Sequence, residues 1–150
     1  MLRSFLIGLV AGQRGMTPLA VVVAGARRGT LPDGAPLAGF IARPMIAAGT
    51  VLLAAAEMAG DKMESAPDRI VPSGMIARSL TSAYAGAALA PAGKRVAGGA
   101  LAVAAALGAA YVGWRLRCAA MRRYGQTATG FVEDALVLGS GLAIALRPRT

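Results

Sequence analysis

Seven residues able to carry charge or donate hydrogen bonds interrupt otherwise apolar sequence: Arg14, Thr17, Glu57, Asp61, Arg78, Glu133 and Asp134. An arginine or aspartate at the centre of a membrane costs about 2.5–3.5 kcal/mol on insertion scales, so such a group faces protein or water and needs a partner. Glu57 and Asp61 stand four residues apart on one helical face, which Thr50 and Ala54 also share. Two carboxylates held close in a low dielectric oppose each other's charge, and a proton, a cation or an arginine must offset them. Arg14 with Thr17, and Arg78 with Thr81, pair a base with a hydroxyl in the same way. Glu133 and Asp134 are adjacent, about 100° apart around a helix, and cannot both address one partner.

Two kinds of chemistry fit this set. The first is a small-solute or ion pathway. Thr17-Pro18 reads as a cap followed by proline at the first helical position, and such a helix would present free amides and its positive dipole end beside Arg14, as anion sites do. Carboxylates at Glu57, Asp61 and Glu133 could then exchange protons or hold a cation. The second is structural: Arg14 and Arg78 neutralise the acids in fixed ion pairs that set helix register, pairs that are weak stabilisers and costly only when halved. Lys62, Glu64, Asp68 and Arg69 read as a solvated cluster in a loop, and Gln13 and Trp114 as a packing residue and an interfacial anchor.

The elements that must position these residues are helices. Apolar segments run over 4–26, 44–60, 74–90, 96–114 and 129–146, separated by Leu31-Pro32-Asp33-Gly34, Pro67 with Pro72, Pro91 with Gly93, and Gly125. The 96–114 segment carries no charge across nineteen residues, close to the ~20 that a bilayer core of ~30 Å requires. The pattern predicts an all-α, polytopic membrane protein of five crossings in one domain over residues 1–150, the first crossing broken into two half-helices near Gly15. A basic residue in an early helix and acids in a later one occur twice, which suggests a weak two-fold internal repeat. Gly8 and Gly12, Gly98 and Ala102, Ala105, Ala109 and Gly113, and Gly139 and Ala143 are small residues at four-residue spacing, the pattern that lets helices approach closely and is compatible with homo-oligomers.

Composition agrees. The chain is 56% hydrophobic and 15% charged, with 20 glycines and a mean hydropathy of +0.58, whereas soluble domains run near ~45–50% and ~25%. With one cysteine and no histidine, disulfide frameworks, zinc sites and histidine-based nucleophile systems lack their raw material. The reading is therefore a non-enzyme that needs no cofactor and no metal. The net charge of +9 comes from 14 Arg and two Lys that mostly flank apolar runs, where they meet anionic headgroups; the aromatics that stack nucleic-acid bases are missing, and no nucleic-acid partner is expected. With five crossings, basic residues divide evenly between the two sides, and the positive-inside rule ties.

The run Gly8-Leu9-Val10-Ala11-Gly12-Gln13-Arg14-Gly15-Met16-Thr17-Pro18-Leu19-Ala20, then Glu57-Met58-Ala59-Gly60-Asp61-Lys62 leading into Pro67-Asp68-Arg69, Gly74-Met75-Ile76-Ala77-Arg78, and Val132-Glu133-Asp134-Ala135 resemble bacterial membrane proteins of the domain of unknown function 4126 family. The resemblance runs through the whole chain and implies a multi-pass protein of the bacterial inner membrane. It implies no activity. Where that family has Arg-Ser in its first motif, this chain has Arg14-Gly15.

Overall fold

The computed structural model describes residues 1–62 and 71–147. The described residues form seven helices and no strand: α1 (Leu2–Gln13), α2 (Thr17–Arg27), α3 (Ala38–Ile41), α4 (Pro44–Gly60), α5 (Pro72–Leu89), α6 (Arg95–Tyr124) and α7 (Gln126–Ala145). Prolines open α2, α4 and α5, where the missing N–H costs nothing. Gly125 separates α6 from α7 with a φ of +80°, a conformation that side-chain-bearing residues rarely adopt.

The break near Gly15 is present: α1 ends at Gln13, Arg14 is extended, and α2 starts at Thr17. The two halves do not continue in one direction. Arg3, at the start of α1, donates to the carbonyls of Ile144 (3.1 Å) and Ala145 (3.0 Å), and the Thr30 hydroxyl, just beyond α2, donates to the same Ala145 carbonyl (2.8 Å). A β-carbon on Gly141 would touch Val21 and Val10 at 3.3 and 3.5 Å, so points about one turn to either side of the break meet one turn of α7. The first segment is thus a helical hairpin with its tip at residues 14–16, each arm roughly 17 Å long at 1.5 Å per residue. This corrects the expected single broken crossing. It also puts the start of α1 and the end of α7 at one end of the bundle, where five crossings would have separated them.

Long helices surround the hairpin. Gly8 and Gly12 let α1 lie against the α6 backbone: a β-carbon on Gly12 would meet the Ala106 carbonyl at 2.6 Å and Ala109 Cβ at 2.5 Å. Gly86 of α5 faces Gly98 of α6 in the same manner, and the Ser4 hydroxyl donates to the Gly86 carbonyl (2.9 Å). Gln13 folds over Gly113 and donates to the Ala109 carbonyl (2.9 Å), the packing role expected of it; Trp114 leans on Tyr111, ring centres 6.1 Å apart. Gly139 and Ala143 are different. No atom lies within 4 Å of a β-carbon built on Gly139, and Ala143 is exposed, so this pair joins no helices among the described residues.

Two helices, α6 and α7, are long and apolar enough to cross a membrane; α1, α2 and α4 are apolar but shorter. The core gathers at the hairpin, around Ile7, Val10, Val21, Val22, Leu89 and Ala102. Outward-facing Val51, Leu52, Leu80, Val96, Leu116, Val132 and Leu136 are exposed on α4 to α7.

Candidate functional site

At the hairpin tip the chain leaves helical geometry and its amides lose their intrahelical partners. Arg14 occupies this point and is 1% exposed. Its Nε donates to Asp134 Oδ1 (2.8 Å), its Nη2 lies 2.6 Å from the same oxygen, and its Nη1 pairs with Asp61 Oδ2. Asp134 Oδ2 takes the Lys62 ammonium, and Lys62 also donates to the Met58 carbonyl (2.9 Å). Asp61 is shared with Arg117 of α6, whose Nη1 reaches Glu133 Oε2 at 3.0 Å and whose Nη2 donates to the Asp61 carbonyl at 3.0 Å.

The result is a chain of alternating sign: Lys62, Asp134, Arg14, Asp61, Arg117, Glu133. Among the described residues three cations meet three carboxylates in this chain. Its members come from the hairpin tip, the end of α4, α6 and α7. Side-chain exposures of 12–18% for Asp134, Asp61, Glu133 and Lys62 leave one flank reachable by water, while Arg14 is closed off. Adjacent Glu133 and Asp134 address different cations, as their separation around the helix requires.

Glu57 sits apart from this chain and does different work. Its Oε1 accepts from the Gly15 amide (2.7 Å) and its Oε2 from the Met16 amide (2.8 Å). The amide end of α2 therefore holds a carboxylate of the protein itself, which complements the helix dipole. Thr17 was expected to be the cap; it is instead the first helical residue, fully buried, and its hydroxyl makes no hydrogen bond among the described residues. The longer Glu57 side chain, reaching in from α4, has displaced it. The Arg78 side chain is buried next to this point. A β-carbon on Gly15 would lie 3.4 Å from Arg78 Cγ and 3.3 Å from Glu57 Oε1, so glycine keeps the cap uncrowded. Thr81 turns back to the Ala77 carbonyl of its own helix (3.0 Å) and does not join the charged network.

Of the seven expected residues, Arg14, Asp61, Glu133 and Asp134 are brought together, Glu57 and Arg78 flank them at Gly15, and Thr17 lies in the core below. The sequence reading missed two members. Lys62 had been assigned to a solvated loop cluster, and it is instead Asp134's second partner. Glu64, Asp68 and Arg69 of that cluster lie outside the described residues. Arg117 is one of the basic residues that flank the apolar runs, and it turns inward to Asp61 and Glu133. The signal that identifies it is the stripe of buried small residues on α6, Gly98, Ala102, Ala106, Ala110 and Gly113: Arg117 is the next position on that face. No group of histidine, cysteine or acidic residues among the described residues is arranged to hold a metal ion.

Beside the network, α6 and α7 part to leave a groove. A cavity of about 640 Å³ is lined by Gln13, Arg117, Tyr124, Val132 and Glu133, and a second of about 660 Å³ continues past Leu136 to Phe5 and Ile144. No family model, curated protein or solved structure matches the chain.

Proposed function

We propose that the chain is a multi-pass protein of the bacterial inner membrane, and that it serves as a structural or accessory subunit whose buried charges are fixed ion pairs locking a half-deep helical hairpin among α4, α5, α6 and α7. The observation that carries this reading is the charge-balanced chain around Arg14, in which all four acids expected in the site have partners. Glu57 already occupies the Gly15 and Met16 amides at the start of α2. Outward-facing aliphatic side chains on α4 to α7, the low share of burial of α6 and α7 (33% and 22%) and the resemblance to domain of unknown function 4126 proteins support the membrane placement. In this arrangement α4, α5, α6 and α7 cross, and the hairpin dips in from the side that carries both termini.

A second reading, the small-solute or ion pathway, is favoured by one observation: Arg117 and Glu133 line the 640 Å³ groove, so part of the network can be reached from outside the bundle. Proteoliposome flux separates the two. Under an imposed pH gradient the purified protein should move no ion or small anion, and Glu57→Gln and Asp61→Asn should lower its thermal stability. Flux that Glu133→Gln abolishes in a still-folded protein would replace the structural reading with the pathway.

A further inference from the structure

The chain between α2 and α4 carries features that locking the hairpin does not use. Leu37, just before α3, has a φ of +56°, in the left-handed region that a side chain disfavours. It is 64% exposed, so no packing within the bundle repays that strain. Phe40, three residues on, and Met45, at the start of α4, are exposed as well, while Ile41 turns into the core.

The same segment lies low against the bundle. Tyr84 stands five residues before the end of α5, roughly 7.5 Å inward of it at 1.5 Å per residue. Its hydroxyl donates to the Pro36 carbonyl (3.0 Å), and helical side chains lean toward the helix start, which here is inward. The headgroup layer on each face of a bilayer is roughly 5–7 Å deep. With the end of α5 at the outer edge of that layer, the chain at Pro36 sits near the boundary between headgroups and acyl chains, the depth at which interfacial helices rest.

Basic residues surround it. Arg43 places its guanidinium over the Phe40 ring, 5.3 Å from the centre. Arg27 and Arg28 occupy the turn between Ala26 and Gly29, and those two residues line one cavity of about 420 Å³ with Leu37, Ala38 and Phe40. Both arginines are exposed and form no ion pair among the described residues, and Asp33 is the only acid described at this end of the bundle. The geometry points to a second mode of membrane contact: residues 37–45 lie in the interface of an anionic bilayer, with Leu37, Phe40 and Met45 at the acyl boundary and Arg27, Arg28 and Arg43 on lipid phosphates. Apolar side chains interleaved with arginines are what such a surface holds. Water would leave the strained leucine unrewarded, and an apolar partner would leave the arginines without counterions. This inference rests on the membrane reading above.

The test uses the full chain, whose one tryptophan is Trp114. Trp114→Phe with Phe40→Trp puts a single indole on the segment. Met45→Trp supplies a second position should the first disturb folding, and Val112→Trp, exposed near the middle of α6, reports the membrane itself. Each variant is reconstituted in phosphatidylglycerol vesicles that contain phosphatidylcholine brominated near either the glycerol or the methyl end of its acyl chain. The indole at 40 or 45 should be quenched by the shallow bromines, little by the deep ones, and shielded from aqueous acrylamide; the indole at 112 should be quenched by the deep ones. Replacing phosphatidylglycerol by phosphatidylcholine, or introducing Arg27→Glu with Arg28→Glu, should lower the shallow quenching and admit acrylamide. Quenching of both positions by acrylamide and by no bromine would put the segment in water. Shielding from both quenchers would mean that a second copy or another protein surface covers it, and shallow quenching indifferent to headgroup and to the two glutamates would remove the anionic requirement. Each of these three results overturns the assignment. Deep quenching at 112 without quenching at 40 and 45 confines the failure to the interface, whereas an indole at 112 that escapes every bromine sinks the membrane reading.

Discussion

Arg14 is the residue on which the interior turns, because it is closed off from solvent and joins two carboxylates from different helices. Removing one partner of a buried ion pair leaves an uncompensated charge and costs about 3–5 kcal/mol. Arg14→Ala should therefore destabilise the protein by that amount in detergent denaturation. Arg14→Ala combined with Asp134→Ala should recover part of the loss, because Lys62 would then be left to solvent at the partly open flank. Additive losses would show that the two side chains are not coupled. Glu57 supplies a separate prediction. Hydrogen bonds to a charged group contribute about 1.5–3 kcal/mol, so Glu57→Ala should lose that much, and Glu57→Gln, which keeps an acceptor without the charge, should lose less. Equal stability of both variants would mean that solvent caps α2 as well as Glu57 does. Arg14, Asp61, Glu133 and Asp134 were legible in the sequence because each interrupts or ends an apolar run, whereas Lys62 and Arg117 were not. Their pairing was not, since Arg14 finds Asp134 across 120 residues.

At the scale of elements, α4 spans the expected 44–60 and α7 lies within three residues of its expected segment, while α6 runs ten residues past the expected 114 to Tyr124. Proline and glycine punctuation sets these ends locally, which is why they could be read. The close approaches among α1, α5 and α6 depend on which glycines face a neighbour. A β-carbon on Gly86 would fall 2.5 Å from the Gly98 carbonyl, and overpacking of this kind costs about 1–3 kcal/mol. Gly86→Ala and Gly12→Ala should each lower the denaturation midpoint, whereas Gly108→Ala and Gly139→Ala, which open onto empty space, should leave it unchanged or raise it. A drop for the second pair equal to that for the first would show that contacts other than these approaches govern the effect, since helix propensity alone favours alanine. Spacing alone did not separate the two groups, because a chain with 20 glycines generates four-residue intervals freely.

For the whole molecule, the hairpin changes the topology. Arg3 and Ala145 share hydrogen bonds, so both termini belong to one side, together with the turns at Gly34 and Gly93. Among the described residues Arg3, Arg27, Arg28, Arg43, Lys94, Arg95 and Arg147 gather there, against Lys62, Arg115, Arg117, Arg122 and Arg123 at the other end. On the membrane reading proposed above, the positive-inside rule would then put the start of α1 and the end of α7 on the cytoplasmic side. Reporters fused before Met1, at Gly34, at Gly93 and after Arg147 should all report the cytoplasmic side, and one at Gln126 the opposite side. A reporter before Met1 that disagrees with the one at Gly34 would restore the single broken crossing.

The sequence by itself determined the all-helical class, most helix positions, the break at Gly15 and the identity of most of the buried charges. Each follows from local chemistry: hydropathy, proline and glycine geometry, and the cost of a charge in apolar surroundings. The tertiary structure decided that the break is a hairpin, that Glu57 and not Thr17 caps α2, and that Arg117 and Lys62 complete the network. An extended residue such as Arg14 lets a chain continue or reverse at similar local cost. Which occurs is settled by distant partners, here Ala145, Asp134 and Asp61, that reward only the reversed arrangement.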